Sequence, residues 1–416
     1  MANGSNLRPQ GPSLRPIEMR WVERGAQRFL LLSDPLQLAG RDLLLPPPMV
    51  AVLPMLDGVR DPAAMHSALV LRHGVAPPLA EIETLVRDLD EVLLLEGPRF
   101  DEAHRRALAT YRQAPFRPPA MAGAVYPADP AELDRAIERY YAQAPPPPPD
   151  RPAGPLLGVL SPHIDFERGH AVYTKLWQRA SRYLQECELV VVLGTDHYGG
   201  LGGVTLTRQH YATPWGTLPT DLELVEGMIR GLGEEASLKE ELHHVTEHSI
   251  ELALVWLHHA IRQTGGPMPS IVPVLCGAMD ATATPYGDTG FERFLSALGP
   301  AVRRRRTLVV AAGDLAHVGP AFGDPSSVGP SGRADVRAGD VESLEYICRG
   351  DSTGFLKGIA REDDRRRICG LAPIYLALRL LGEGVSGEVV DYAQCQADEA
   401  GGSMVSIAGV VWHGGR

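Results

Sequence analysis

The stretch "PLLGVLSPHIDF" (155–166) places a histidine and an aspartate directly after a short apolar run. Such a continuous run is typical of a strand that is buried on both faces of a parallel sheet. His163 and Asp165 follow the run within a few residues. Ligands of open α/β sheets bind outside the carboxyl ends of the strands. The pair therefore indicates a site at this position if other strands of the chain end in the same way.

Three further apolar runs follow along the chain, "ELVVVLGT" (188–195), "SIVPVLCG" (270–277) and "RTLVVAAG" (306–313). Amphipathic helical stretches lie between the runs, among them "HSIELALVWLHHAIRQ" (248–263) and "FERFLSALGPAVRR" (291–304). This alternation predicts an α/β fold with a mostly parallel sheet and helices on both faces.

Two of these runs also end in a histidine and an aspartate. Asp196 and His197 follow the second run, and Asp314 and His317 follow the fourth. Each histidine taken singly is more often a loop or core residue than a ligand. Three His–Asp pairs at strand ends of one parallel sheet favour a common site at its carboxyl edge.

A cysteine joins this set in "RRRICGLAPIYLALRLL" (365–381), where Cys369 comes just before a predicted helix. A helix N-terminus and nearby arginines lower the pKa of a thiol, so we expect Cys369 to have thiolate character. The alternative is a small apolar residue that packs at the start of a helix.

A second histidine-rich stretch, "HHVTEHS", follows no apolar strand. We expect Glu247, His248 and Glu251 to be candidates for the pocket rather than its main residues. His258 and His259 lie further along the same predicted amphipathic helix, and we expect both on the surface.

The N-terminal part has a different pattern. Residues 1–16 are rich in Pro, Gly, Ser and Arg, which predicts disorder. Residues 17–110 predict a small α+β module of winged-helix type, and "YRQAPFRPPA" (111–120) predicts a linker. Through "LDG" (56–58), two helical stretches and a closing predicted strand "VLLLEG" (92–97), the module resembles PqqD-like domains. That resemblance implies a peptide partner, and the alternative is a plain accessory domain.

Composition excludes several classes of function. The net charge of −11 argues against a nucleic-acid surface and against adhesion to an anionic membrane. Five cysteines form no evident disulfide framework, and the N-terminus lacks an apolar signal segment, so we expect a cytoplasmic protein. The stretch "APPPPPD" (144–150) predicts a stiff polyproline connector.

From about residue 120 to residue 416 the chain resembles the Memo family, called AmmeMemoRadiSam system protein B in prokaryotes. The motifs that carry this resemblance occur in order: "AGAVYPADPAEL" (122–133), "SPHIDF" (161–166), "LGTDHYG" (193–199), "TEHSIELALVWL" (246–257), "IVPVLCG" (271–277), "GDLAHVG" (313–319), "ICGLAPI" (368–374), "DYAQCQ" (391–396) and "GGSMVSIAGVVW" (401–412).

The resemblance implies a fold similar to the class III extradiol dioxygenases. It also implies that His163, His197 and Cys369 are metal ligands, with Asp314 and His317 as catalytic residues of the same pocket. Two imidazoles and a thiolate suit Fe(II), with Cu as the alternative. Ring-cleaving relatives use two histidines and a carboxylate, so the cysteine argues against classical ring cleavage.

Further expectations concern the rest of the pocket. Asp165 and Asp196 are expected in the same pocket, where Asp165 would lie beside a ligand or orient an imidazole. The chain departs from the usual family pattern next to the ligands, because "PHIDF" lacks the common Ala-Gly-Tyr and "AAGDLAH" lacks Ser-Ser before the aspartate. The substrate is therefore expected to differ as well.

Three functions remain open at this point. The first is a non-haem metal oxidoreductase of dioxygenase type. The second is a non-catalytic metal-binding adaptor, for which the resemblance implies a radical-SAM enzyme and an AMMECR1-like protein as partners. The third is a cysteine hydrolase in which Cys369 acts with His163 or His317.

Overall fold

A computed structural model describes residues 11–25, 27–145, 154–282 and 290–414. The chain forms two compact units, Met1–Gln113 and Ala114–Arg416. The predicted polyproline connector lies almost entirely outside the described residues. Within the described ranges, no helix is long and apolar enough to cross a membrane.

The N-terminal unit combines a small sheet with helices. Its three strands pair antiparallel in chain order, and its apolar core includes Leu32, Met65 and Ile82. Asp61 caps the second helix and Gly74 ends it in a left-handed conformation, as that sequence predicts. The elements are β1 (Glu18–Arg24), β2 (Gln27–Ser33), β3 (Leu43–Leu45), α1 (Pro47–Val50), a 3₁₀ turn (Leu53–Met55), α2 (Pro62–His73), α3 (Leu79–Glu91) and α4 (Pro98–Gln113).

Three expectations for this part of the chain were wrong. Residues 1–10 lie outside the described residues, but 11–16 are ordered, because the Leu14 amide donates to Leu56 and the Arg15 amide to Leu94. The predicted strand at 92–97 is a turn, since Leu93 has φ 59° and only an isolated bridge follows. The linker at 111–120 is shorter than predicted, because α4 continues to Gln113 and Arg117 already pairs with Tyr211.

The C-terminal unit alternates strands and helices. Its elements are α5 (Pro130–Gln143), β4 (Leu156–Ser161), α6 (Phe166–Ser181), β5 (Leu189–Thr195), β6 (Val204–Leu206), β7 (Tyr211–Thr213), β8 (Gly216–Leu218), α7 (Leu222–Leu232), α8 (Glu234–Leu238), α9 (His243–Thr246), α10 (Ser249–Thr264), β9 (Ser270–Cys276), α11 (Gly290–Arg304), β10 (Thr307–Ala312), β11 (His317–Val318), α12 (Pro330–Cys348), α13 (Ser352–Arg361), α14 (Leu371–Leu381), β12 (Ser386–Gln396) and β13 (Met404–His413).

The four predicted apolar runs form the centre of one sheet. The strand order is β11-β13-β4-β10-β5-β9-β6, with β12 paired to β13. The neighbours β4, β10, β5 and β9 run parallel, and the flanking strands pair antiparallel. The prediction of an α/β fold with a mostly parallel central sheet is therefore confirmed.

Helices cover both faces of this sheet. Along β5, Val190 and Val192 belong to an apolar cluster with Trp256 of α10, whereas Val191 and Leu193 belong to a second cluster with residues of α7, α11 and α14. Because successive side chains of a strand point to opposite faces, a strand that is apolar throughout requires this double cover. Every residue of β5 is buried accordingly.

Candidate metal centre

The carboxyl ends of three central strands meet at one edge of the sheet. β4, β10 and β5 are hydrogen-bonded neighbours, and Ser161 pairs with Ala312 near their ends. His163, Asp314 and His197 follow these strands within two residues. The parallel register therefore places all three side chains at the same edge.

Three imidazoles converge there. One ring nitrogen each from His163, His197 and His248 lies within 4.8 Å of the others. The ring centroids are 5.2 Å apart for His163 and His197, 5.3 Å for His163 and His248, and 5.0 Å for His197 and His248. Such spacing allows three nitrogens to bind one ion.

Hydrogen bonds on the far side of two rings set the tautomer of each ring in its neutral form. The His163 Nδ1 lies 3.1 Å from the Ala312 carbonyl oxygen, which can only accept, so this nitrogen donates. The His197 Nδ1 donates in the same way to the Glu247 carboxylate at 2.9 Å. In a neutral ring the Nε2 then carries the lone pair, which is the form that binds a metal.

Glu247 contacts both His197 and His248. Its Oε1 accepts the His248 amide at 2.7 Å and the Ser249 amide at 3.0 Å, and lies 3.1 Å from the His248 Nδ1. Burial alone raises the pKa of this carboxyl, but the His197 and His248 rings more than compensate and hold its pKa well below the usual range. Glu247 is therefore an anion between two imidazoles.

Cys369 reaches the cluster from the start of α14. Its Sγ lies 3.2 Å from the His163 Nε2 and 3.7 Å from the Asp314 carbonyl oxygen. The backbone crosses closely at this point, since a Cβ on Gly370 would lie 2.7 Å from the Asp314 oxygen and 3.0 Å from the Gly313 Cα. Two facing glycines thus allow the thiol to approach the histidines.

The expectation of a lowered thiol pKa was wrong for the protein without metal. Burial raises the pKa of Cys369, although the hydrogen bond with His197 acts in the opposite direction. Two of the upstream arginines are engaged by carboxylates instead, since Arg366 pairs with Asp340 and Arg367 with Asp324. A bound cation would have to supply the charge that stabilises a thiolate.

Asp314 lies against His163. Its Oδ1 accepts the His163 amide at 2.8 Å, and its Oδ2 lies 3.9 Å from the His163 Nε2. Burial raises the pKa of Asp314 to about 6. The His317 Nδ1 donates to the Leu315 oxygen at 3.1 Å and its ring packs edge-on against Phe322, while the ring also interacts electrostatically with His197. Burial lowers the pKa of His317 to about 4.

The two other aspartates have local partners. Asp165 caps α6 by accepting the Arg168 amide at 3.0 Å and pairs with the Arg168 side chain, so it does not orient an imidazole. Asp196 is buried, and both its oxygens lie 2.9 Å from the His243 Nδ1. The Ala312 carbonyl takes the orienting role that was expected of Asp165.

His248 is a main residue of the cluster, although the sequence indicated it only as a candidate for the pocket. It follows no strand, because it precedes the first residue of α10 and reaches the cluster from a helix start. The available signal was the adjacent Glu–His pair in "TEHS". Glu251, also expected at the pocket, is instead buried in a pair with Arg117 and accepts the Tyr126 hydroxyl.

The expectation that His258 and His259 lie on the surface was wrong. Both are buried, because α10 is covered on all sides and its residues from Ser249 to Ile261 are buried throughout. The His258 Nδ1 lies 2.7 Å from the Thr213 hydroxyl. A helix that is apolar nearly all round is typical of such a buried position.

The cluster has one open side. The His163 side chain is 3% exposed, whereas those of His197 and His248 are 30% and 36% exposed. Asp314 is buried beside His163, whereas Cys369 is partly exposed. The imidazoles are therefore accessible to solvent mainly at His197 and His248.

These features define an α/β protein with an imidazole–thiol cluster at the carboxyl edge of its sheet. The chain belongs to the Memo-like protein family, whose model matches residues 117–411. It is 26% identical over 390 residues to a MEMO1 family protein of Aquifex aeolicus, which covers 92% of this chain and 96% of that protein. It is 28% identical over 314 residues to the MEMO1 family protein MK0963 of Methanopyrus kandleri, and this match covers 72% of this chain and 99% of that protein.

Proposed function

We propose that the chain binds a late first-row metal ion through His163, His197 and Cys369, with His248 beside them. The single observation that supports this most is the convergence of three imidazole nitrogens and a sulfur at one sheet edge. Imidazole and thiolate donors suit Fe(II) or Cu better than Mg or Ca. We propose Fe(II) as the ion, and Cu as the alternative.

We propose further that the protein is a dioxygenase-like oxidoreductase acting on an unidentified substrate, with a fold similar to the class III extradiol dioxygenases. A redox-active ion would supply Lewis-acid and oxygen chemistry at this site. Asp314, with a pKa of about 6, can hold or release a proton beside His163 at neutral pH. His197 and His248 line the side from which a substrate enters.

Elemental analysis of the full chain, purified without oxygen, tests the metal proposal. His163→Ala and Cys369→Ser should each lower bound iron or copper at least about tenfold. The matched controls are His73→Ala, at an exposed histidine, and Cys348→Ser, at a partly exposed cysteine outside the cluster. Equal metal content in all four variants would refute the proposal.

His317→Ala separates binding from catalysis. Its hydrogen bond and ring contact are with Leu315 and Phe322, so this variant should keep its metal. Its ring interacts electrostatically with His197, so the variant should lose oxygen consumption with any active substrate. Loss of metal would place His317 among the ligands instead.

A non-catalytic adaptor is the second candidate, with a peptide at the N-terminal unit and with a radical-SAM enzyme and an AMMECR1-like protein as partners. The observation that favours it is the outer strand β1, which presents Met19 and Trp21 at 56% and 41% exposure. A strand at a sheet edge can pair with an extended peptide. Stoichiometric metal without oxygen uptake across candidate substrates would favour the adaptor.

A cysteine hydrolase is the third candidate, supported by the 3.2 Å contact of Cys369 with His163. Its thiol would need the imidazole as a base, because burial raises the pKa of Cys369. Hydrolysis that survives complete removal of metal would favour this function over the other two.

A further inference from the structure

A cavity of about 620 Å³ lies at the end of the sheet opposite to the histidine cluster. Its lining includes Leu156 at the start of β4 and Leu308 at the start of β10. The six-residue strand β4 separates it from His163, a distance of about 20 Å. The volume is within the range of small-molecule sites.

One part of the lining of this cavity is apolar. Leu184 from a 3₁₀ turn, Val302 from the last turn of α11, and Leu380 and Leu381 from the end of α14 all contribute to it. Leu184, Leu308 and Leu380 are buried in the fold behind it. A surface of this kind accommodates a hydrocarbon group rather than a polar one.

Arginines surround the apolar lining. Arg305 is paired with Asp221, and Arg306 with Glu188. Arg303 lines the same cavity and makes no ion pair with any described carboxylate. One acidic residue, Glu186, contributes to the lining. The local charge is therefore positive in a chain whose net charge is −11.

We propose that this cavity binds a carboxylate that carries a hydrocarbon tail, as in a medium-chain or long-chain fatty acid. The tail occupies the leucine-lined interior and the head pairs with the Arg303 guanidinium, whose planar fork matches a carboxylate. Of the other lining arginines, Arg305 and Arg306 already have acidic partners and Arg182 packs over the Tyr183 ring, so the cavity suits a monoanion better than a phosphate dianion. The inference does not depend on the proposed metal.

Calorimetric titration of the full chain with decanoate tests this inference. We expect one molecule bound per chain, and acetate, which lacks the tail, should bind at least about a hundredfold more weakly. Arg303→Ala should weaken decanoate binding at least about tenfold, since a charge-assisted hydrogen bond is lost. Leu381→Trp should abolish binding by filling the cavity, and thermal unfolding would show that this variant is folded.

Arg304→Ala is the matched control. Arg304 is exposed like Arg303 but does not line the cavity, so removing it changes the net charge equally. We expect decanoate affinity to change by less than about twofold in this variant, because a surface charge that does not contact the bound carboxylate contributes little. Equal weakening by both substitutions, or several molecules bound per chain, would overturn the proposal.

Discussion

A single carboxylate, Glu247, sets the orientation of two of the three clustered imidazoles. It accepts from the His197 Nδ1 at 2.9 Å and lies 3.1 Å from the His248 Nδ1, while being almost fully buried. Partners of this kind fix the tautomer of a ligating histidine and raise its basicity. The geometry of the cluster therefore depends on a residue that need not touch the ion.

Glu247→Gln tests this role. The amide keeps the size of the side chain but loses its charge, so metal affinity should fall by about 10- to 100-fold. Competition titration against a chelator of known affinity measures the change. Glu223→Gln, at an exposed position, is the control. An unchanged affinity in Glu247→Gln would mean that the histidines are held by packing alone.

Replacing Gly370 by alanine should lower the stability of the fold, whereas the same replacement of an ordinary glycine within a helix should raise it. A Cβ there would lie 2.7 Å from the Asp314 oxygen, so Gly370→Ala should displace Cys369, lower metal content and destabilise the fold by about 1–3 kcal/mol. Gly227→Ala, within α7, has its nearest atom at 3.9 Å and should stabilise by up to about 1 kcal/mol. Urea unfolding distinguishes the two, and equal effects would contradict the close approach at Gly370.

At the scale of elements, the start of α10 is held by a buried ion pair. Arg117 donates to the backbone oxygens of His244 and Glu247, at 2.8 Å each, and pairs with Glu251. Glu251 also accepts the Ala120 and Met121 amides, at 2.8 Å each. This network holds the segment that carries Glu247 and His248.

Arg117→Met should destabilise the fold by about 3–5 kcal/mol, because it leaves a buried carboxylate without its cation. Adding Glu251→Gln removes that uncompensated charge, so the double variant should be less destabilised than the sum of the two single variants. Chemical denaturation of all three measures the coupling. Strict additivity would show that the pair does not act as a unit.

The buried histidines of α10 make the fold sensitive to acid. Burial lowers the pKa of His258 and of His259 to about 4 each, below the ordinary value of 6.5. Between pH 6.5 and 4 the unfolded chain therefore binds more protons, so stability falls as the pH falls through this window.

His259→Gln should reduce the loss of stability between pH 7 and pH 5 by about 1–2 kcal/mol. Urea unfolding at the two pH values gives this difference. His73→Gln, at an exposed histidine, should leave the pH dependence as it is. If His259→Gln responds to acid like the unmodified chain, the ring is not held neutral by burial.

At the scale of the whole molecule, the sequence predicts the central sheet well because its signal is local. The apolar run that opens the stretch 155–166 contains β4, and the run at 306–313 contains β10. The insertion of β13 between β11 and β4 is not visible in any local pattern, since it depends on pairing across the chain. The fold class thus follows from short stretches, but the order of the outer strands does not.

The same distinction applies to the site. The positions of His163 and His197 can be predicted because each follows an apolar run that predicts a strand, and such strands end at the same edge of a parallel sheet. His248 and the Arg117 network cannot, because a helix start and a partner about 130 residues away place them. The thiol pKa of Cys369 depends on burial and on which partners the nearby arginines bind, and neither can be predicted from the local sequence.

X-ray absorption of the iron-loaded full chain tests whether imidazoles and the Cys369 sulfur hold one metal ion. We expect nitrogen or oxygen neighbours at about 2.0–2.2 Å together with one sulfur at about 2.3 Å, and loss of the sulfur contribution in Cys369→Ser. A spectrum without sulfur, or one that Cys369→Ser leaves unchanged, would contradict it.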